Sequence, residues 1–155
     1  MKRTICYLTL LAEICLLKWL PFSGCDAAKL LPVEVLCVQK TEAGYTVETD
    51  GESTGNGETL DAAFEDLKAG AESTVFLDTA DYVLVNFTDS ETLRKLCGFL
   101  RPGCAVYRIG EMPDLENIAQ FLKTHGAKHT LAECVFGKGE IPQLRVWEGG
   151  MRLVP

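Results

Sequence analysis

Seven cysteines, two histidines and a pair of closely spaced aspartates are the residues of this 155-residue chain best suited to nucleophilic, metal or acid–base chemistry. Cys97, Cys104, His125, His129 and Cys134 fall within one stretch, and His125 and His129 have the three-residue gap of a zinc-ligand pair. The six residues between Cys97 and Cys104 are unlike the tight pairs of a zinc knuckle, and Cys97 falls on the apolar side of a helical pattern. Packing thiols, a His125 placed against the negative end of a helix dipole and an exposed His129 explain the set without a metal. Asp78 and Asp81 have the residue types of a general acid and base, but a glycosidase-type pair works across a cleft. A short Asp-Thr-Ala-Asp segment is better explained by turn formation. The sequence therefore predicts no catalytic residue, no metal and no cofactor.

Composition narrows the partners. Lys and Arg number 15 against 22 Asp and Glu, a formal charge of −7. Phosphate backbones are bound by cationic surfaces, so nucleic acid is not an expected partner. With 47% hydrophobic and 24% charged residues, the chain is neither disordered nor fibrous and has the length of one domain with a tail.

The first 25 residues differ from the rest. Lys2 and Arg3 precede a mostly apolar run over 4–22, and Ser23 and Gly24 stand directly before Cys25. A basic start, an apolar stretch and small residues describe a secretory signal. Small residues immediately before a cysteine describe a lipobox, whose thiol takes a diacylglycerol and becomes the new N-terminus. Glu13 and Lys18 interrupt the apolar run, so a spanning helix is not expected. An amphipathic first helix of a cytosolic protein, packed by Leu10, Leu11, Ile14 and Leu17, is the competing reading.

Cleavage before Cys25 would leave 131 residues; Lys2, Arg3, Lys18 and Glu13 go with the leader, leaving 12 basic and 21 acidic residues. Two acyl chains on one cysteine anchor a protein stably without a basic patch. Cys6 and Cys15 would leave with the signal and Cys25 would be acylated. The remaining cysteines, Cys37, Cys97, Cys104 and Cys134, read as buried free thiols, with a Cys97–Cys104 bridge left open by the spacing.

The elements that position these residues follow from periodicity. Alternation over 33–38 and 44–49, with a turn between, predicts a hairpin. The three-glycine stretch 50–57 reads as a flexible surface loop, and the acids over 48–66 as a solvated face. Thr59 caps a helix burying Leu60, Ala63, Phe64 and Leu67, and Asp89 or Ser90 caps a second with Leu93, Leu96, Cys97 and Leu100 inward. Between them, 75–77 leads through Asp78 and Asp81 to 82–85, whose unbroken apolar character predicts a central strand covered on both faces. A strand over 104–109 precedes a third helix, opened by Pro113 with Asp114 and Glu116 in its first turn and closed at His125 and Gly126. Strands are expected over 130–136, 143–147 and 152–154, with Trp147 packed at the sheet end. The fold class is α/β, or an α+β variant: a mixed sheet with about three helices in the order ββαβαβα and a β-rich tail. The boundaries are a signal over 1–24, an α/β domain over 25–137 and a hairpin tail over 138–155.

Ser23-Gly24-Cys25, the segment Gly57, Glu58, Thr59 and Leu60 opening a helix through Leu67, and the run from Phe76 through Asp78, Thr79, Asp81 and Tyr82 to Val85 resemble the N-terminal domain of the spore-germination receptor C-subunit lipoproteins. The following helix with Leu96, Phe99 and Leu100 and the run from Ala132 to Phe136 continue the likeness, which spans 25–136. The chain departs from the family's pattern at Asp26, where an aromatic residue usually follows the cysteine, and would be a truncated member. The resemblance implies a non-enzymatic receptor subunit on the extracytoplasmic face of the membrane, anchored through Cys25 and partnered by integral-membrane receptor subunits. The alternative is a cytosolic α/β small-ligand binder or enzyme with its site near the ends of the central strands, at Asp78, Asp81 and Asn86.

Overall fold

The computed structural model describes residues 30–110, 115, 117–126, 129–147 and 150–154. Its strands and helices grow outward from the most apolar segment. Tyr82–Val85 (β6) has Val83, Leu84 and Val85 all fully buried, as only a strand covered on both faces would be. Parallel neighbours flank it: Val35–Thr41 (β2), with Val38 opposite Val85, and Ala105–Arg108 (β7), with Arg108 opposite Val85.

Gly44–Thr49 (β3) and Thr54–Gly57 (β4) add antiparallel strands beyond β2. Gln143–Trp147 (β8) joins β7 in parallel and turns back into Gly150–Val154 (β9). The mixed sheet runs β4-β3-β2-β6-β7-β8-β9. A separate parallel pair joins Leu30–Pro32 (β1) to Thr74–Phe76 (β5).

The two faces are covered unequally. Leu36, Val38, Val83, Val85 and Val106 face a large core roofed by Leu60–Gly70 (α1), Ser90–Leu96 (α2) and Leu131–Val135 (α4). Val35, Cys37, Leu84, Tyr107 and Leu144 face the other way, onto Ile118–His125 (α3) through Ile118 and Leu122. The fold is the α+β variant of the expected class, a mixed seven-stranded sheet with helices on both faces. Pro113, Asp114 and Glu116, expected to open the third helix, lie outside the described residues.

Three segments differ from expectation. The stretch 130–136 is helical: Thr130 Oγ1 accepts from the Glu133 N–H and Glu133 reaches back to the Thr130 N–H, a capping box that outweighs the β-branched residues around it. Trp147 is 55% exposed because only Arg108 and Gln143 pair between β7 and β8, so the rest of β8 overshoots its neighbour. Alternation then places Trp147 with Arg145 on the face opposite Leu144.

The third difference is in the glycine-rich stretch, which ends in an edge strand rather than a loop. Gly55 and Gly57 lie under α1, where a Cβ on Gly55 would come 2.3 Å from the Ala63 carbonyl oxygen and one on Gly57 2.5 Å from the Ala63 nitrogen. Asp66 of α1 completes the join by accepting from the Asn56 N–H at 2.8 Å. Helix and strand backbones touch here with no side chain between them, so Gly55→Ala must lift α1 off the sheet. Its expected cost is about 3 kcal/mol in a urea titration. Gly103→Ala, where a Cβ meets nothing within 4 Å, is expected to stay within about 0.5 kcal/mol of wild type.

Candidate functional site

Because β2, β6 and β7 run parallel, the sheet has an amino edge and a carboxyl edge, and polar side chains finish the backbone pairing at both. At the amino edge the Thr79 hydroxyl accepts from the Val33 N–H at 3.0 Å and lies within hydrogen-bond reach of the Val33 and Phe76 carbonyls. Asp50 Oδ2 accepts from the N–H groups of Glu34 and Val35 at 3.0 and 3.2 Å, and Lys123 of α3 forms an ion pair with Glu34. Arg101 pairs with Asp81 and donates to the Ala80 carbonyl at 3.1 Å. Asp78 is exposed in the 3-10 turn Leu77–Thr79. The Asp-Thr-Ala-Asp segment is thus a tied turn.

Asn86 lies at the opposite, carboxyl edge. Its side-chain oxygen accepts from the Lys40 N–H at 2.8 Å and its amide donates to the Lys40 carbonyl at 2.9 Å, adding one rung to the β2–β6 ladder. Asp78, Asp81 and Asn86 therefore do not meet in one site: β6 separates them. Beside Asn86, Asp89 caps α2 by accepting from the Thr92 N–H at 2.9 Å, and Lys40 approaches both Asp89, at 3.8 Å, and the face of Tyr45.

A cleft of about 360 Å³ opens at this carboxyl edge, on the face that α2 and α4 cover. Thr88, Ser90 and Leu93 form one wall, Arg108 and Gln143 come from the sheet, and Cys134, Gly139, Glu140 and Ile141 close the far side. The cleft exists because β6 and β7 end here while β8 begins, at Gln143, level with Arg108. The Arg108 main chain is fixed by its N–H bond to the Pro142 carbonyl at 2.8 Å. Arg108 and Glu140 were not singled out by any sequence pattern. Their common address depends on chain reversals through α3 and α4 that no local spacing encodes.

The four described cysteines are free thiols: Cys37, Cys104 and Cys134 are buried and Cys97 is half-buried. Burial pushes the Cys37 and Cys104 thiols up to about 12 and raises those of Cys97 and Cys134, the opposite of what a nucleophile needs. Among the described residues no three His, Cys, Asp or Glu side chains gather as a metal would require. His125 is exposed, with Nδ1 3.2 Å from the Phe121 carbonyl and its ring stacked on Phe121. His129, expected to be exposed, is half-buried because Gly139 packs against its ring.

Gly51, Ser53 and Gly55 have the spacing of a hydrolase nucleophile elbow, a motif that requires a sharp strand-to-helix turn. Here Ser53 lies in the turn between antiparallel β3 and β4, its N–H donating to Thr49 Oγ1 at 3.3 Å. The left-handed backbone (φ 60°) belongs to Glu52, not to the serine. The spacing serves a hairpin. Cys25, the anchor residue read from the lipobox, lies outside the described residues, and no described helix is long and apolar enough to cross a membrane.

Compared with family models, with curated proteins and with solved structures, the chain gives no significant match.

Two outcomes follow from these side chains. With a thiol reagent at about pH 8, Cys97 is expected to react first among the four described cysteines, and Cys37 and Cys104 only on unfolding; fast native labelling of Cys104 would contradict its burial. Bonding to Thr92 holds the Asp89 carboxyl below its usual 3.8. The cap is therefore complete above that value and lost as pH falls through the lower folded one. Asp89→Ala is expected to cost about 1 kcal/mol near pH 6 and less at about pH 3, read from urea midpoints.

Proposed function

We propose that this chain is a lipid-anchored extracytoplasmic protein, tethered through Cys25, that acts by protein–protein contact as a subunit of a germinant-receptor-like complex. The observation that carries the reading is the small-residue pair Ser23-Gly24 before Cys25, with the first described strand starting at Leu30, five residues on. Five residues span at most about 18 Å. The amino edge of the sheet, with Glu34, Asp50 and Asp81, would then lie close to the bilayer. Acidic groups gain nothing from an anionic membrane surface, so attachment rests on the acyl chains of Cys25.

The thiols and carboxylates described above favour contact over catalysis. Asp81 is ion-paired, Asp50 closes a strand, and the buried cysteines stay protonated. The partners in this reading are integral-membrane receptor subunits of a spore-forming bacterium, and no cofactor or nucleic acid takes part.

Expression of the full chain with labelled palmitate tests it. Wild type is expected to incorporate label in the membrane fraction, and Cys25→Ala to lose it entirely. Recovery of a wild-type chain with intact Met1 from the soluble fraction would overturn the anchor.

A further inference from the structure

Two opposite charges face the carboxyl-edge cleft without neutralising each other. Arg108 and Glu140 both line it, both are exposed, and among the described residues neither forms an ion pair or hydrogen bond through its side chain. Unpaired charges are ordinary on an open surface. These two share a concave site with Leu93 and Cys134, which are buried, and Ile141, which is half-buried. Low-dielectric walls strengthen the field of charges inside a cleft.

The cleft's contents select a ligand class. A simple anion would meet Arg108 but be opposed by Glu140 and by a chain of charge −7. A simple cation would meet Glu140 but be opposed by Arg108. A neutral molecule carrying one charge of each sign satisfies both, with its carboxylate on the guanidinium fork and its ammonium on the carboxylate. Thr88, Ser90 and Gln143 supply hydroxyl and amide groups for orientation, while Leu93 and Ile141 take a short apolar body. A volume of about 360 Å³ falls at the small end of small-molecule sites.

We propose that this cleft binds a small zwitterion with one carboxylate, one ammonium group and an aliphatic body. The site does not depend on the lipid anchor. It lies at the carboxyl edge, whereas the chain arrives from Cys25 at the amino edge, so a failed titration leaves the anchoring reading untouched and a soluble chain still tests this one.

Titration of the full chain with L-leucine, followed by NMR at Thr88, Leu93 and Ile141, tests the proposal. Saturable shifts confined to those residues are expected. Leucinamide, lacking the carboxylate, and 4-methylpentanoate, lacking the ammonium, are each expected to bind about tenfold or more weakly. Arg108→Gln and Glu140→Gln, both at exposed positions, are expected to weaken leucine binding by a similar factor with the remaining spectrum unchanged. No saturable shift up to about 10 mM, equal binding of all three compounds, or wild-type affinity in both variants would each overturn it.

Discussion

The double-sided burial of β6 is the constraint on which the rest of the molecule depends. Val83 and Val85 point into one core and Leu84 into the other, so this strand is stable only with a layer on each side. Each fully buried aliphatic side chain contributes about 1.5–3 kcal/mol, so losing either layer would expose more than the marginal stability of a domain can absorb. The parallel partners β2 and β7 continue the same alternation, Leu36 and Val106 on one side, Cys37 and Tyr107 on the other. Apolar character then fades toward the outer strands. Thr46 of β3 bonds Asn56 of β4 across the uncovered part of the face, and the overshooting end of β8 is exposed. Among the described residues one helix, α3, covers the middle of the sheet on that side.

A buried parallel sheet has to satisfy its backbone at both ends, where the strands part, and this explains most of the polar residues that first suggest chemistry. Thr79, Asp50 and Asn86 each stand in for a missing strand partner, taking up N–H groups at Val33, Glu34, Val35 and Lys40. Residues used in this way are poor candidates for turnover, since removing them leaves main-chain groups at the strand ends without their partners. The carboxyl-edge cleft is different in kind. Arg108, Glu140, Thr88 and Ser90 hold no described backbone or ion-pair partner through their side chains, and they sit where β6 and β7 stop and β8 has only begun. The polar groups at the amino edge serve the fold, as Asn86 and Asp89 do at the carboxyl edge, while those lining the cleft are not used in this way.

Some of this was legible in the sequence because the signals are local. The apolar faces of α1 and α2, the Thr59 and Asp89 caps and the unbroken run of β6 depend only on neighbours a turn or a strand pair away. The Thr130 and Glu133 capping box was equally local, yet the β-forming residues beside it pointed to a strand, and the reciprocal cap prevails in the fold. The strand at Gly55 could not be read this way. Its glycines look like loop punctuation until α1 is placed on top of them, and only then does the missing Cβ become the reason the helix fits.

The residues of this one chain, then, determined its class, its central strand and the helices α1 and α2 through hydrophobic spacing and hydrogen bonds that close within a few positions. Tertiary structure alone decided that Asp78 and Asp81 lie across the sheet from Asn86, that Trp147 faces water, and that Arg108 and Glu140 share a cleft. Those relations join segments tens of residues apart. They are set by strand order, by the single Arg108–Gln143 register between β7 and β8, and by which face each helix covers, none of which a local pattern can carry.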